Sequence, residues 1–372
     1  MKIFYIFQLI YVLNIQWIIN ANLNDATKSK NIQEVNCGQN KTDSEITDSF
    51  PFPVQSNPML PKPSMTYGLM TNGRINSIEI INQKTCIPSI IFCLKNLEKL
   101  VINNSYFCDS SKQINGKMEY LPEQIIKLEK LKTLKISHVN LISLPNVIGN
   151  LPSLKDLTIS HVNLRFLPKT IGNLFNLKDL SISHANIAFL PETIGNLSHL
   201  RYLSICNTPL RSLPKTISNI KSLERITLKY NPQLHSIRKI HDLPALYTLD
   251  VRHCSVQDLP RNLPKLNDLY MSSNKLAKLN FDIGTLSNKK NKSQNFEFDN
   301  NYIELIAPEI RYVHTLSRLH LAQNQLHTLP DDIFNMTRLT YLNLSNNNFS
   351  TYDNQHLNKR FSETNPELEV VF

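Results

Sequence analysis

The 372-residue sequence lacks the short motifs on which many catalytic sites are built. It has no G-x-x-x-x-G-K-[ST] loop to cradle phosphates, no G-x-S-x-G turn to expose a nucleophilic serine and no H-E-x-x-H pair to hold zinc. None of its six cysteines forms a C-x-x-C pair, so the familiar spacing of zinc and redox sites is missing too. Apart from residues 1–21, no stretch approaches the apolar length needed to cross a bilayer. Most Lys and Arg residues are spread along the chain without interleaved aromatics, which argues against nucleic-acid binding. These absences point away from an enzyme, a metal site and a bound cofactor. The net charge of +10 favours acidic surfaces in general.

What the sequence does have is a period. Pro122, Pro145, Pro168, Pro191 and Pro214 fall at an interval of 23 residues, each after a Leu and three positions before an Ile. Three consecutive copies read LKTLKISHVNLISLPNVIGN, LKDLTISHVNLRFLPKTIGN and LKDLSISHANIAFLPETIGN. A fixed period of this length marks a solenoid, in which each unit buries its apolar face only by stacking on its neighbours. Apolar residues occupy repeat positions 1, 4, 6, 11 and 14, as in Leu154, Leu157, Ile159, Leu164 and Leu167. The alternation around positions 4 and 6 predicts a strand over positions 3 to 7, one face buried and one wet. Copies running in one direction with short returns must stack these strands in parallel. In the return segment LPxxIGNL the proline fixes its own φ, and Gly149, Gly172 and Gly195 are expected to turn the chain at φ > 0. Ser218 replaces the glycine in the following copy.

The pattern LxxLxLxxNxLxxLPxxIGNLxxL resembles the leucine-rich repeat in its 23-residue form, as found in Ras-group and plant resistance-type proteins. The resemblance implies an α/β solenoid: a horseshoe of about twelve repeats with a parallel concave sheet and an irregular or 3-10 convex side. Copies begin near Ile75, Leu97, Leu131, Leu154, Leu177, Leu200, Leu223, Leu246, Leu266, Asn295, Leu316 and Leu339. An extra loop is expected around Ser105 to Met118, a polar insertion precedes the tenth copy, and the unit from Pro260 to Leu279 is shortened, with a local change of curvature. The family's turn residue at position 9 is Asn, matched by Asn231, Asn274, Asn301, Asn324 and Asn347, with Thr208 and Cys254 as weaker substitutes. Val139, Val162 and Ala185 cannot serve. There, either Asn140, Asn163 and Asn186 act from position 10, or backbone and water do the work.

The array is expected over residues 67–350, with 1–21 as a secretory signal peptide or, if uncleaved, an anchor. Residues 22–66 read as a polar, proline-rich linker, and 351–372 as an irregular C-terminal cap. A secretory route would make Asn40, Asn103, Asn196, Asn291, Asn335, Asn343 and Asn348 acceptors of N-linked glycans, although Asn and Ser are so abundant that chance sequons are expected. Secreted members of the family staple their first repeat with disulfides, which suggests Cys86 with Cys108. Cys206 and Cys254 read as packed thiols.

The solvent-facing positions of the sheet locate candidate binding residues. Position 2 carries Lys132, Lys155, Lys178 and Arg201, a basic stripe partly offset by Asp156 and Asp179 at position 3. Tyr202, Arg225, Tyr247 and Tyr270 are residue types frequent at interfaces. Position 8 carries His138, His161 and His184, a row that copying of an ancestral unit would also produce and whose close spacing should depress the imidazole pKa values. The resulting expectation is a secreted or cell-surface recognition protein that binds a protein partner, acidic if the basic stripe is the interface, on its concave face. The alternative is a cytoplasmic scaffold of the Ras-group kind.

Overall fold

The computed structural model describes residues 37, 41–55, 65–71, 73–108, 120–288 and 293–372. The segment expected as a signal peptide, Asn40, Asn291 and the Lys-rich part of the insertion at 289–292 lie outside the described residues, as does most of the loop expected after Ser105.

Among the described residues a single sheet of fourteen strands winds through the molecule in strict chain order, beside a two-stranded pair on the outer side. All neighbours in the large sheet are parallel except β1 (Met65–Thr71) and β2 (Arg74–Ile81), which form an antiparallel hairpin at its start. The regular strands occupy positions 3 to 7, as in Asp156–Ser160 and Asp179–Ser183. Their register is in phase with the repeat: Leu134, Leu157, Leu180 and Leu203 are successive partners, as are Ile136, Ile159, Ile182 and Ile205. All eight are buried, together with the residues at positions 1, 11 and 14 of these four copies, and the buried apolar residues of the array form one continuous core. The chain is a leucine-rich repeat solenoid.

The proline of LPxxIGN caps a five-residue 3-10 segment, as at Pro145, Pro168 and Pro191, and the following Ile is driven into the core. The repeats starting at Leu223 and Leu246, the second of which runs into the shortened unit, replace this segment with turns and one bridge between His241 and Arg261.

Two expectations change here. Gly149, Gly172 and Gly195 do not adopt positive φ; Gly73 in the β1–β2 hairpin is the only described glycine that does. A side chain at the three repeat glycines would instead overlap Thr170, Thr193 or Thr216 of the next turn. Those threonines come close because each hydroxyl donates to a backbone oxygen of the preceding turn, Asn146, Lys169 and Glu192 at 2.6, 2.5 and 2.5 Å. Ser218 is tolerated because no 3-10 segment stacks on it.

The second change concerns the ends. Residues 41–55, expected as linker, cover the first repeat. Helix α1 (Asp43–Asp48) opens on a capping box between Thr42 and Glu45 and buries Ile46, while Phe50 and Phe52 pack behind it. The buried Asp43 accepts from the Ile75 amide at 2.7 Å, and disulfides join Cys37 to Cys93 and Cys86 to Cys108. At the other end the cap is regular. Helix α2 (Thr351–Thr364) starts on a second capping box, Ser350 with Asp353, and places Phe361 on Phe334 with ring centroids 4.5 Å apart. A last strand, Glu369–Val371, pairs with Tyr341–Asn343. Both caps do what an exposed solenoid end requires: they take apolar core away from water.

The glycine packing predicts that Gly172→Ala lowers stability by about 1–3 kcal/mol through overpacking, whereas Ser218→Gly changes it by less than about 1 kcal/mol. Urea denaturation of the two variants checks this, and equal effects would contradict the interlocking of Gly172 with Thr193.

Candidate functional site on the concave sheet

Position 8 has a backbone role that its residue types only hint at. In each of the twelve repeats it is left-handed: Asn82, Asn104, His138, His161, His184, Asn207, Tyr230, His253, Ser273, Asn300, Gln323 and Asn346 all have φ between 46° and 59°. Asn and His are enriched among non-glycine residues that tolerate this conformation. The His row therefore occupies a position whose backbone already favours such side chains. The three imidazoles stack in parallel, with centroids 4.3 and 4.2 Å apart and planes 9° from parallel. Burial, followed by the neighbouring His184 and His138, pushes the His161 pKa down. His253 belongs to a separate pair, stacked on Tyr230 at 4.6 Å.

The turn beneath this row is built in two ways. Asn231, Asn274, Asn301, Asn324 and Asn347 point inward. Asn274 donates to Val251 O and Met271 O at 2.9 and 3.0 Å while its Oδ1 accepts from the Val256 amide at 2.9 Å. The Cys254 thiol substitutes in part by donating to Leu228 O; burial pushes its pKa up to about 12, in keeping with a packed rather than reactive thiol. The repeats with Val139, Val162 and Ala185 keep the bond from the position-8 amide to the position-7 carbonyl of the next strand that runs through the array, at His138, His161 and His184 as at Tyr230 and Asn300, and Val162 N also donates to His184 O. Asn140, Asn163 and Asn186 form a surface ladder, with Asn163 donating to Asn140 and Asn186 to Asn163.

The basic stripe is only partly free. Lys132 pairs with Glu98 at 2.7 Å, and Arg201 makes a two-pronged contact to Glu224 at 2.7 and 2.8 Å, which holds the Glu224 carboxyl below its usual range. No ion pair engages Lys155 or Lys178 among the described residues. Beside Lys178, burial and a hydrogen bond with Asp156 push the Asp179 carboxyl up to about 6.

From Arg201 onward the inner face becomes a field of guanidinium and phenol groups. Arg201 lies over Tyr202 at 5.6 Å, Arg225 over Tyr247 at 5.7 Å and Arg252 over Tyr270 at 4.9 Å. Tyr202 also donates to Glu224 at 3.4 Å and is hydrogen-bonded to Tyr247. Arg252 is fixed by two contacts to the buried Asp250, at 3.0 and 2.7 Å. Further along, Arg318 lies over Tyr341 at 4.4 Å. Arg252, Arg318, Tyr341 and Asp250 do not stand out in the sequence; Asp250 holds Arg252 two residues away on the same turn, and Arg318 and Tyr341 are register partners on adjacent strands. The sheet thus gathers Tyr202, Arg225, Tyr247 and Tyr270 into one cluster, while His138, His161 and His184 stand apart at the rim with Lys132, Lys155 and Lys178 on the opposite edge.

Of the sequon asparagines, Asn196, Asn335 and Asn348 are exposed, whereas Asn103 and Asn343 end strands on the inner face and are half-buried. Among the described residues, no cluster of His, Cys, Asp and Glu could hold a metal ion, and no helix is long and apolar enough to span a membrane.

Comparison with known proteins gives the following. Residues 314–359 match the family model described as leucine rich repeat. No curated protein matches in sequence. Among solved structures, an internalin, InlF, from Listeria monocytogenes superposes with a TM-score of 0.59 at 20% identity, covering 80% of each chain. The functional domain of InlJ from the same organism gives 0.55 at 16%, over 80% of this chain and 62% of that one. The complex of TLR13 with ssRNA13 gives 0.55 at 22%, over 68% and 36%. These likenesses establish the fold.

The Asp179 environment makes a prediction with a definite sign. Its folded pKa is raised, so the ionised carboxyl costs stability at high pH, and the cost disappears as pH falls through 6 toward 4. Asp179→Asn should therefore stabilise the protein at pH 7.5, by about 1 kcal/mol or less because solvent screens the site, and leave it unchanged at pH 4. Denaturation curves at the two values check this; destabilisation at both would contradict it.

Proposed function

We propose that this leucine-rich repeat protein is a non-enzymatic recognition module that binds another protein on its inner face, through the cluster of Arg201, Tyr202, Arg225, Tyr247, Arg252 and Tyr270. The observation that carries this reading is the pairing of guanidinium groups with tyrosine rings, between neighbouring repeats for Arg225 with Tyr247 and Arg252 with Tyr270 and within one repeat for Arg201 with Tyr202. Tyr and Arg are the side chains most often found at energetically dominant contact points, and here stacking and ion pairs hold them in place before any partner arrives. Arg225 is exposed, with no ion pair among the described contacts, which leaves a charged donor for a partner.

The protein acts in the secretory pathway or outside the cell. Two disulfides in the N-terminal cap and first repeats support this, since such bonds persist in oxidising compartments. So does the exposure of Asn196, Asn335 and Asn348, which leaves room for glycans away from the cluster.

Affinity capture with crosslinking tests the reading. Arg225→Ala combined with Tyr247→Ala should weaken capture of the principal partner by about 30-fold or more, the effect of losing about 2 kcal/mol at a contact hot spot, with unchanged thermal stability. Undiminished capture by this variant would remove the cluster from the interface, and recovery of the protein only from cytosol, unglycosylated, would remove the secretory assignment.

A further inference from the structure

The strands that precede the Arg–Tyr cluster are of a different character. On Asp156–Ser160, Asp179–Ser183 and Tyr202–Cys206 the solvent-facing centre is made of Thr158, Ser160, Ser181, Ser183 and Ser204, while on Thr133–Ser137 it is Lys135 and Ser137. No bulky ring or guanidinium covers these hydroxyls, unlike the following strands with Arg225, Arg252 and Tyr270. The result is a shallow trough. One edge is the lysine row, where Lys155 and Lys178 have no ion-pair partner among the described contacts; the other is the stack of His138, His161 and His184, whose residues are exposed.

We infer that this trough is a docking groove for an extended acidic segment of a partner protein, and that its grip tightens as pH falls from neutral to about 5.5. The inference rests on the inner-face reading above and adds a partner chemistry and a regulation to it.

Small side chains let an extended backbone approach the floor, and the hydroxyls can exchange hydrogen bonds with its amides. The two edges supply cations on both sides of such a chain. Asp156 and Asp179 are register partners on adjacent strands and oppose it at neutral pH, with Thr133 Oγ1 donating to Asp156 Oδ2 at 3.1 Å.

Acidification protonates Asp179, which burial and Asp156 push up to about 6, and so removes negative charge from the floor. Lys178 and Arg201 lie near Asp179 and oppose that rise. Burial and its two stacked neighbours push the His161 pKa down, and an anionic chain laid along the stack would favour its charged form. A single-stranded nucleic acid fits less well, because the floor offers no exposed ring on which a base could stack.

Fluorescein-labelled octa-aspartate, titrated against the full chain at pH 7.5 and pH 5.5, tests the inference by fluorescence anisotropy. Binding should tighten by about tenfold or more at the lower pH, as expected when several charges change in one groove. Asp156→Asn with Asp179→Asn should give much of that gain at pH 7.5, and Lys155→Glu with Lys178→Glu should abolish binding at both values. Replacing His138, His161 and His184 by Asn, which Asn207 shows the left-handed backbone accepts, should remove the part of the acid-induced gain that the aspartate variant does not supply. Affinity independent of pH, an equal loss in the outer-side variant Lys215→Glu with Lys239→Glu, or tighter binding of an octathymidylate would each overturn it. Because the probe is not the captured partner, failure here leaves the Arg–Tyr interface standing, and undiminished capture by the Arg225→Ala, Tyr247→Ala variant leaves the groove standing.

Discussion

Backbone hydrogen bonding between successive parallel strands, at a separation of about 4.8 Å, is the constraint on which the molecule depends. A strand can meet its neighbour in register only if every turn of the coil returns it to the same height and phase. Side chains at one repeat position then lie directly on their counterparts one turn away. The leucine columns, the stacked imidazoles, the asparagine ladders and the glycine–threonine contacts are all consequences of that one alignment. The constraint also explains the caps, because a column of this kind has two apolar ends with no partner, and α1 and α2 each bring a large apolar side chain, Ile46 and Phe361, to cover one.

The turn after each strand shows two solutions to a single polar problem. With Asn at position 9 the amide is buried and satisfies carbonyls of its own and the preceding turn, a task that would leave about 1–3 kcal/mol of unpaired polar groups if undone. With Val or Ala there, the turn keeps the backbone bonds common to the array, its interior is apolar, and the asparagines stand one position on, at the surface. This second solution occurs in the repeats that carry the His row. The stretch of most uniform sequence is thus also the stretch with an apolar turn interior and a polar ladder outside, next to the hydroxyl-lined floor.

Much of the architecture is legible in the residues, because the 23-residue interval assigns each side chain a depth in the coil; Leu157 and Ile159 fall inward as their positions require. Three things are less visible. The left-handed backbone at position 8 emerges only when all twelve copies are aligned, since His161 alone suggests chemistry rather than conformation. The glycines invite a reading in terms of φ, although the reason for them is a threonine one turn away, which no local pattern shows. The N-terminal cap was signalled by Thr42 and Glu45 ahead of Ile46, but a proline-rich composition obscures a six-residue helix. The inner-face cluster lies between these cases. Tyr247 and Arg225 stand out by type, yet their stacking joins different positions of neighbouring repeats and needs the register to be seen.

The inner face therefore divides into a hydroxyl-lined trough edged by amines and imidazoles and a firmer field of paired arginines and tyrosines, both presented by one rigid sheet. That division is the basis for reading the molecule as a recognition surface. Hydroxyl-radical footprinting of the protein alone and with its captured partner tests this most directly. The account predicts that Tyr202, Tyr247 and Tyr270 lose reactivity in the complex while Phe281 and Tyr312, exposed on the outer 3-10 segments, keep theirs. Protection of Phe281 and Tyr312 with the inner tyrosines unchanged would contradict it.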